Sequence, residues 1–194
     1  MAFNINEFTG NLGMGGARPS LFEVLLTNPV NSGADARFRF LCRVAQIPAT
    51  TVTPITTQYF GRPIKFAANR TYEDWSVTII NDEDFSVRST LEEWCEHING
   101  TISNKSSGFA LGQAYKSQAE VIHYGKTGNI LRKYTIQGLW PTNIAAIDLD
   151  WSNADVIEEY TVTFSLDHWS TDSGFQAPGL TIGASGSGSI FAGL

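Results

Sequence analysis

The stretch VIEEYTVTFSLDHW, residues 156–169, decides the fold class. Tyr160, Val162, Phe164 and Leu166 alternate with Thr161, Thr163 and Ser165. Successive side chains of an extended chain point to opposite faces, so this period of two predicts a strand over 156–166 with one face on a core. WSVTII at 75–80 repeats the pattern, with Trp75, Val77 and Ile79 on its apolar side. Working outward, strands are predicted at 21–27, 38–44, 64–68, 119–124, 131–137 and 144–149. A turn carrying Asn28, Pro29, Asn31 and Gly33 joins the first two, and Gly125, Gly128 and Asn129 mark a hairpin. Residues 51–60 are rich in Thr and Tyr but contain Pro54, which suits an edge strand or an extended loop.

One segment departs from this period. In DFSVRSTLEEWCEHING, residues 84–100, Val87, Leu91, Trp94, Cys95 and Ile98 fall on one face of a helix. Asp84 is placed to cap its first amides and Gly100 follows its end, so a single amphipathic helix is predicted at about 85–98. The expected fold is mainly β, α+β by strict count. It is a β-barrel or sandwich of two packed antiparallel sheets carrying that helix. The chain divides into an N-terminal arm (1–17), one β-domain (18–172) and a Gly/Ser-rich C-terminal arm (173–194). The first arm has one charge and the second none, and both are dotted with apolar residues. A loop of about sixteen residues is expected at 101–116, a length usual for functional or unstructured segments.

Composition narrows the function. Charged residues make up 16% of the 194, against about 25% in an average soluble domain, while aromatics reach 12%. Few charges with many aromatics indicate a surface partly covered by partners. The net charge is −6, so the chain lacks the basic patch that grips phosphates. The lone cysteines, Cys42 and Cys95, form no CxxC, and no apolar run is long enough to span a membrane.

Catalytic and ligand-binding patterns fail on geometry. Asp148 and Asp150 on one predicted strand cannot flank a sugar from opposite sides, as a glycosidase pair must. Cys95 and His97 lie about 200° apart around a helix and cannot share a metal. The glycines at 10, 13, 15 and 16 precede the first strand and lack the Gly-Lys-Ser/Thr ending of a phosphate loop. No cofactor or metal is expected, and no enzymatic activity. A carbohydrate-binding face built on the tryptophans stays open, with Trp140 and Trp151 beside turns.

The residues carry a resemblance. RTYEDWSVTIINDED (70–84) with the helix after it, and YTIQGLWPTNIAAIDLDWSNADVIEEYTVTFSLDHW (134–169), are similar to the tail tube proteins of contractile-tailed, T-even-like bacteriophages. ARPSLFEVLL, FRFLCRVAQIPA and FGRPIKFAANRTYEDW follow the same order, so the resemblance runs from about residue 17 to 169. It implies a non-enzymatic subunit of hexameric rings stacked into a hollow tube, with a contractile sheath protein outside. It also implies baseplate and tail-terminator proteins at the ends, and tape-measure protein and DNA passing through the lumen. Such a protein belongs to the virion, is assembled in the bacterial cytoplasm, and inserts stably into no membrane. The tube of a type VI secretion or other phage-derived injection system is the alternative.

That frame gives the charges of 70–82 a structural reading. Arg70 is positioned to pair with Glu73 or Asp74, within one subunit or across a ring contact. Asp82 and Asp84 stand where strand gives way to helix. The candidate subunit-interface residues are Arg70, Glu73, Asp74, Trp140, Asp150 and Trp151.

Overall fold

The computed structural model describes residues 5–12, 16–106, 113–152 and 155–172. The predicted C-terminal arm and the middle of the predicted 101–116 loop lie outside these residues. In chain order the elements are α1 (Ile5–Asn11), β1 (Phe22–Leu26), a 3-10 turn (Ser32–Ala34), α2 (Asp35–Leu41), β2 (Cys42–Ala45), β3 (Thr50–Tyr59) and β4 (Arg62–Tyr72). They continue with β5 (Trp75–Ile80), α3 (Ser86–Ile98), β6 (Ser117–Tyr124), β7 (Ile130–Ile144), β8 (Glu159–Ser165) and β9 (His168–Asp172).

One long strand organises the sheets. The first part of β7 pairs with β6, which pairs with β1; its last residues pair with β8, which leads to β5 and β2. All pairings are antiparallel. β8 and β9 run in line along the same β7, Trp140 facing Ser165, Gln137 facing His168 and Lys133 facing Asp172. The sheet bends between these two partners, at Gly138 and Asp167. Gly138 has φ +69°, in the region where a side chain is strained, and its Cα lies against Asp167. The Lys116 ammonium holds the Asp167 carboxylate at 2.7 and 2.8 Å.

The bend folds one half-sheet, β1-β6-β7-β9, over the other, β7-β8-β5-β2. Val24, Leu26, Ala119, Val121 and Ile136 meet Trp75, Val77, Ile79, Val162 and Phe164 in a single core. The predicted inward residues of β5 and β8 are thus buried, apart from half-buried Leu166. α3 lays Val87, Leu91 and Trp94 on this core; Trp94 lies 6.3 Å from the Phe164 ring and donates from Nε1 to the Tyr115 carbonyl at 2.9 Å. The end strands β1 and β2 do not pair, so the sandwich stands and the barrel does not close within one chain.

Three expectations are corrected. The described residues contain three α-helices, not one. α1 lies within the predicted first arm and buries no residue. α2 replaces most of the strand predicted at 38–44: FRFLCRV fits a period of two, but Phe38 and Cys42 sit one helical turn apart and both are buried, while Phe40 is exposed. The strands predicted at 131–137 and 144–149 give way to the single β7, which ends at Ile144 and leaves Asp148 and Asp150 outside any strand. Pro141 survives inside it because the register shifts beside it, at a bulge.

Candidate assembly surface

The helix start shows how the acids of this region are used. Phe85 occupies the N-cap position with φ +51° and contributes no side-chain bond. Asp82, rather than the predicted Asp84, supplies the cap: its carboxylate accepts from the Ser86 amide at 3.0 Å and the Ser86 hydroxyl at 2.6 Å. These bonds, the hydroxyl's first, hold the Asp82 carboxyl below its usual range. The Arg37 guanidinium of α2 reaches both Asp82 (3.1 Å) and Asp84 (3.3 Å), tying α2 to α3.

A depressed carboxyl contributes stability above its unfolded pKa and loses it as the pH falls through the folded value. Asp82→Ala is therefore expected to cost about 1 kcal/mol at neutral pH, the usual value of a lost cap. The penalty shrinks below the ordinary carboxylate pKa of about 3.9. Urea unfolding of both proteins across that range measures it.

The other charges of the opening stretch have different surroundings. Arg70 stands on β4 opposite Val52, and Glu73 and Asp74 occupy the link to β5, all three exposed. No ion pair joins them among the described residues, so the intrachain pairing expected for Arg70 is absent. Just before them the chain projects as the β3–β4 hairpin. At its base the Tyr72 ring of β4 meets Trp169 of β9 edge-on at 6.2 Å; beyond that the hairpin stands out from the sandwich, and all of β3 is exposed. At about 3.3 Å per residue it reaches roughly 35 Å. Its base is pinned by the Glu73 amide on the Ala49 carbonyl (3.2 Å) and the Trp75 indole N–H on the Gln46 carbonyl (2.7 Å).

Register makes this hairpin two-faced. Ile55 faces Phe66, Thr57 faces Ile64 and Tyr59 faces Arg62, so Ile55, Tyr59, Ile64 and Phe66 share one side. Pro54, Thr56, Gln58, Pro63, Lys65 and Ala67 fill the other. The tip is a two-residue turn with positive φ at both Phe60 and Gly61; Phe60 is 91% exposed and its ring meets Tyr59 edge-on at 4.6 Å. Asn-Gly is the usual choice for such a turn. The strained aromatic is kept at the exposed tip, against its neighbour Tyr59.

A second apolar patch lies in the connection between β7 and β8. Leu149, Trp151, Val156 and Ile157 are exposed around a groove of about 650 Å³ that Arg43, Asp148, Glu158 and Glu159 also line. Asp150 in the same connection accepts from the Ser152 hydroxyl (2.6 Å) and amide (3.0 Å), which lowers its pKa. Trp140, expected beside a turn, is instead half-buried within β7, 5.9 Å from the Tyr115 ring.

The outward face of the β7-β8-β5-β2 half has a distinct character. Ser76 meets Thr163 and Thr78 meets Thr161, each hydroxyl pair at 3.4 Å, with Ser165 and Asn143 beside them. Glu159 at its margin is paired with Arg43. Among the described residues, both edges of this half, β2 and the last residues of β7, carry no further hydrogen-bonded strand. Sequence patterning located the hydroxyls but missed the hairpin face and the groove, because neither period nor composition reveals which strands pair.

Burial pushes the Cys42 thiol up to about 12, away from any nucleophilic role. Among the described residues no group of three or more His, Cys, Asp or Glu is placed to hold a metal.

A family model described as phage tail tube protein matches residues 10–172. Over 154 residues the chain is 34% identical to tail tube protein gp19 of Enterobacteria phage T4, covering 79% of this chain and 90% of that protein. It is 28% identical over 165 residues to the tail tube protein of Serratia phage KSP90, covering 81% and 90%. A chain from the sheath–tube complex of an extracellular contractile injection system, PVC, in its extended state shares the fold with TM-score 0.61 and 12% identity; the match covers 85% of this chain and 97% of that one.

Proposed function

Because the chain belongs to the phage tail tube protein family, and is a tail tube subunit, we propose that it works by closing rings with copies of itself, six to a ring, stacked into a hollow tube. The observation that carries this reading is the β3–β4 hairpin, whose apolar side has no cover among the described residues. A two-stranded hairpin is marginal alone in water, so a second copy lying on Ile55, Ile64 and Phe66 supplies what the chain omits. The free edges of β2 and β7 are then closed by neighbours around the ring, which removes the aggregation hazard of open strands. Arg70, Glu73 and Asp74, which form no ion pair among the described residues, then fix register across a subunit boundary.

In this reading the hydroxyl-lined outward face fronts the bore. A wall without unpaired cations does not hold the phosphates of passing DNA. α3 stands on the opposite side, toward a contractile sheath. Baseplate and terminator proteins cap the ends, and the tube is built in the host cytoplasm. The higher identity to phage tubes, 34% against 12% for the injection-system chain, favours a phage tail.

Negative-stain microscopy of the concentrated protein, seeded with baseplates, tests the reading. Six-fold rings and hollow tubes are expected. A chain that stays monomeric under every seeding condition overturns it.

A further inference from the structure

The apolar groove beside Trp151 and the end of β9 at Asp172, where the uncharged segment begins, lie at the two ends of the β8–β9 path along β7, and together they point to one contact. The groove flanks the start of β8, where Glu159 pairs with Ile80. The segment starts where β9 ends, at Asp172 opposite Lys133. β8 and β9 follow one another between the two along the bent β7, a chain path of about 40 Å at 3.3 Å per residue. In the proposed stack, copies that place the β9 end of one subunit toward the β8 start of the next bring the end of β9 beside the neighbour's groove.

The chemistry of the two parts agrees. Residues 173–194 are 22 in number, carry no charge, and include Phe175, Leu180, Ile182, Ile190, Phe191 and Leu194. Leu149, Trp151, Val156 and Ile157 give the groove an apolar wall that the described residues leave open to water. At no more than about 3.5 Å per residue, 22 residues span up to roughly 75 Å, ample for a neighbour in direct contact. The match to the phage tail tube family model ends at residue 172, so this contact adds to what the shared fold provides.

We propose that residues 173–194 of each subunit seat in the Leu149–Trp151–Val156–Ile157 groove of the subunit stacked next to it, as a strap between rings. This rests on the tube reading above, and the two fail in different ways. A wild-type protein that forms no tubes overturns the tube reading before any strap is tested.

The strap is tested in assembled tubes carrying Trp151→Cys together with Phe191→Cys, oxidised with copper–phenanthroline and run on a denaturing gel. A ladder of dimers and higher multimers is expected, absent from either single variant, which also controls for Cys42 and Cys95. Two results overturn the proposal: a band that remains monomeric, or a monomer closed on itself by an intrachain disulfide. A second measurement needs no cysteine. Truncation after residue 172 and Trp151→Ala are each expected to raise the dissociated fraction of dilute tubes severalfold, and their combination no further than either alone. Additive effects overturn the proposal too, because they place the segment elsewhere. Trp151 is fully exposed and the truncation removes nothing from the described fold, so both variants keep the monomer intact.

Discussion

Phe66→Asp leaves the monomer folded and abolishes tube growth. The Phe66 ring is exposed on the apolar side of the hairpin, where the change touches no core residue, and surface substitutions of this kind usually shift stability by within about 0.5 kcal/mol. In the proposed tube the same ring is covered by the neighbouring copy. Removing it forfeits about 2 kcal/mol of apolar burial. Enclosing an unpaired carboxylate adds a larger penalty. Together these exceed roughly 3 kcal/mol per contact, more than a hundredfold in association. Sedimentation with and without seeds reads assembly, and circular dichroism reads the fold. Thr56→Asp, on the other side of the same hairpin, is the control and is expected to assemble near normally. Pelletable tubes from Phe66→Asp at wild-type concentrations would show that the hairpin face is not a contact.

The second large effect is expected at the bend. Gly138→Val places a β-branched residue at φ +69° and drives its Cβ into the Asp167 side chain, 2.7 Å from that residue's own Cβ. Backbone strain costs about 1–3 kcal/mol and overpacking a similar amount, so the sum is about 4 kcal/mol. For a domain this size that lowers the melting temperature by on the order of 10 °C. Gly128→Val separates the two causes: Gly128 has φ +79° but nothing within 4 Å of an added Cβ, so strain alone acts there. Differential scanning calorimetry should show the larger loss at Gly138. Equal losses would mean that the close approach to Asp167 contributes nothing.

The legible parts of this fold share one property: a single spacing fits the local sequence. β5, α3 and β8 could be read because their apolar residues match one period and spoil the other. FRFLCRV matches both, and only the closeness of Phe38 and Cys42 to the shared core selects the helix. Gly138 and Pro141 look like strand breakers, yet β7 continues through them because one supplies the bend and the other sits at a bulge. Among the candidate residues, the charge and exposure of Arg70, Glu73 and Asp74 were visible in the sequence. The lack of an ion pair between them among the described residues was not, since sequence spacing does not reveal whether neighbouring charges meet. The apolar face of the hairpin needed the register itself: Ile55 and Phe66 are eleven positions apart and join only once β3 and β4 are aligned.

The line of β8 and β9 along a single β7 also has a mechanical meaning. A push directed along these strands loads the rungs between them in shear and all together, whereas a pull across them would unzip the rungs one after another. Each half-sheet is therefore stiff along its own strands and weak across them. The subunit's compliance is concentrated where the backbone turns at Gly138, and the Lys116–Asp167 bridge acts there as a guy wire against buckling.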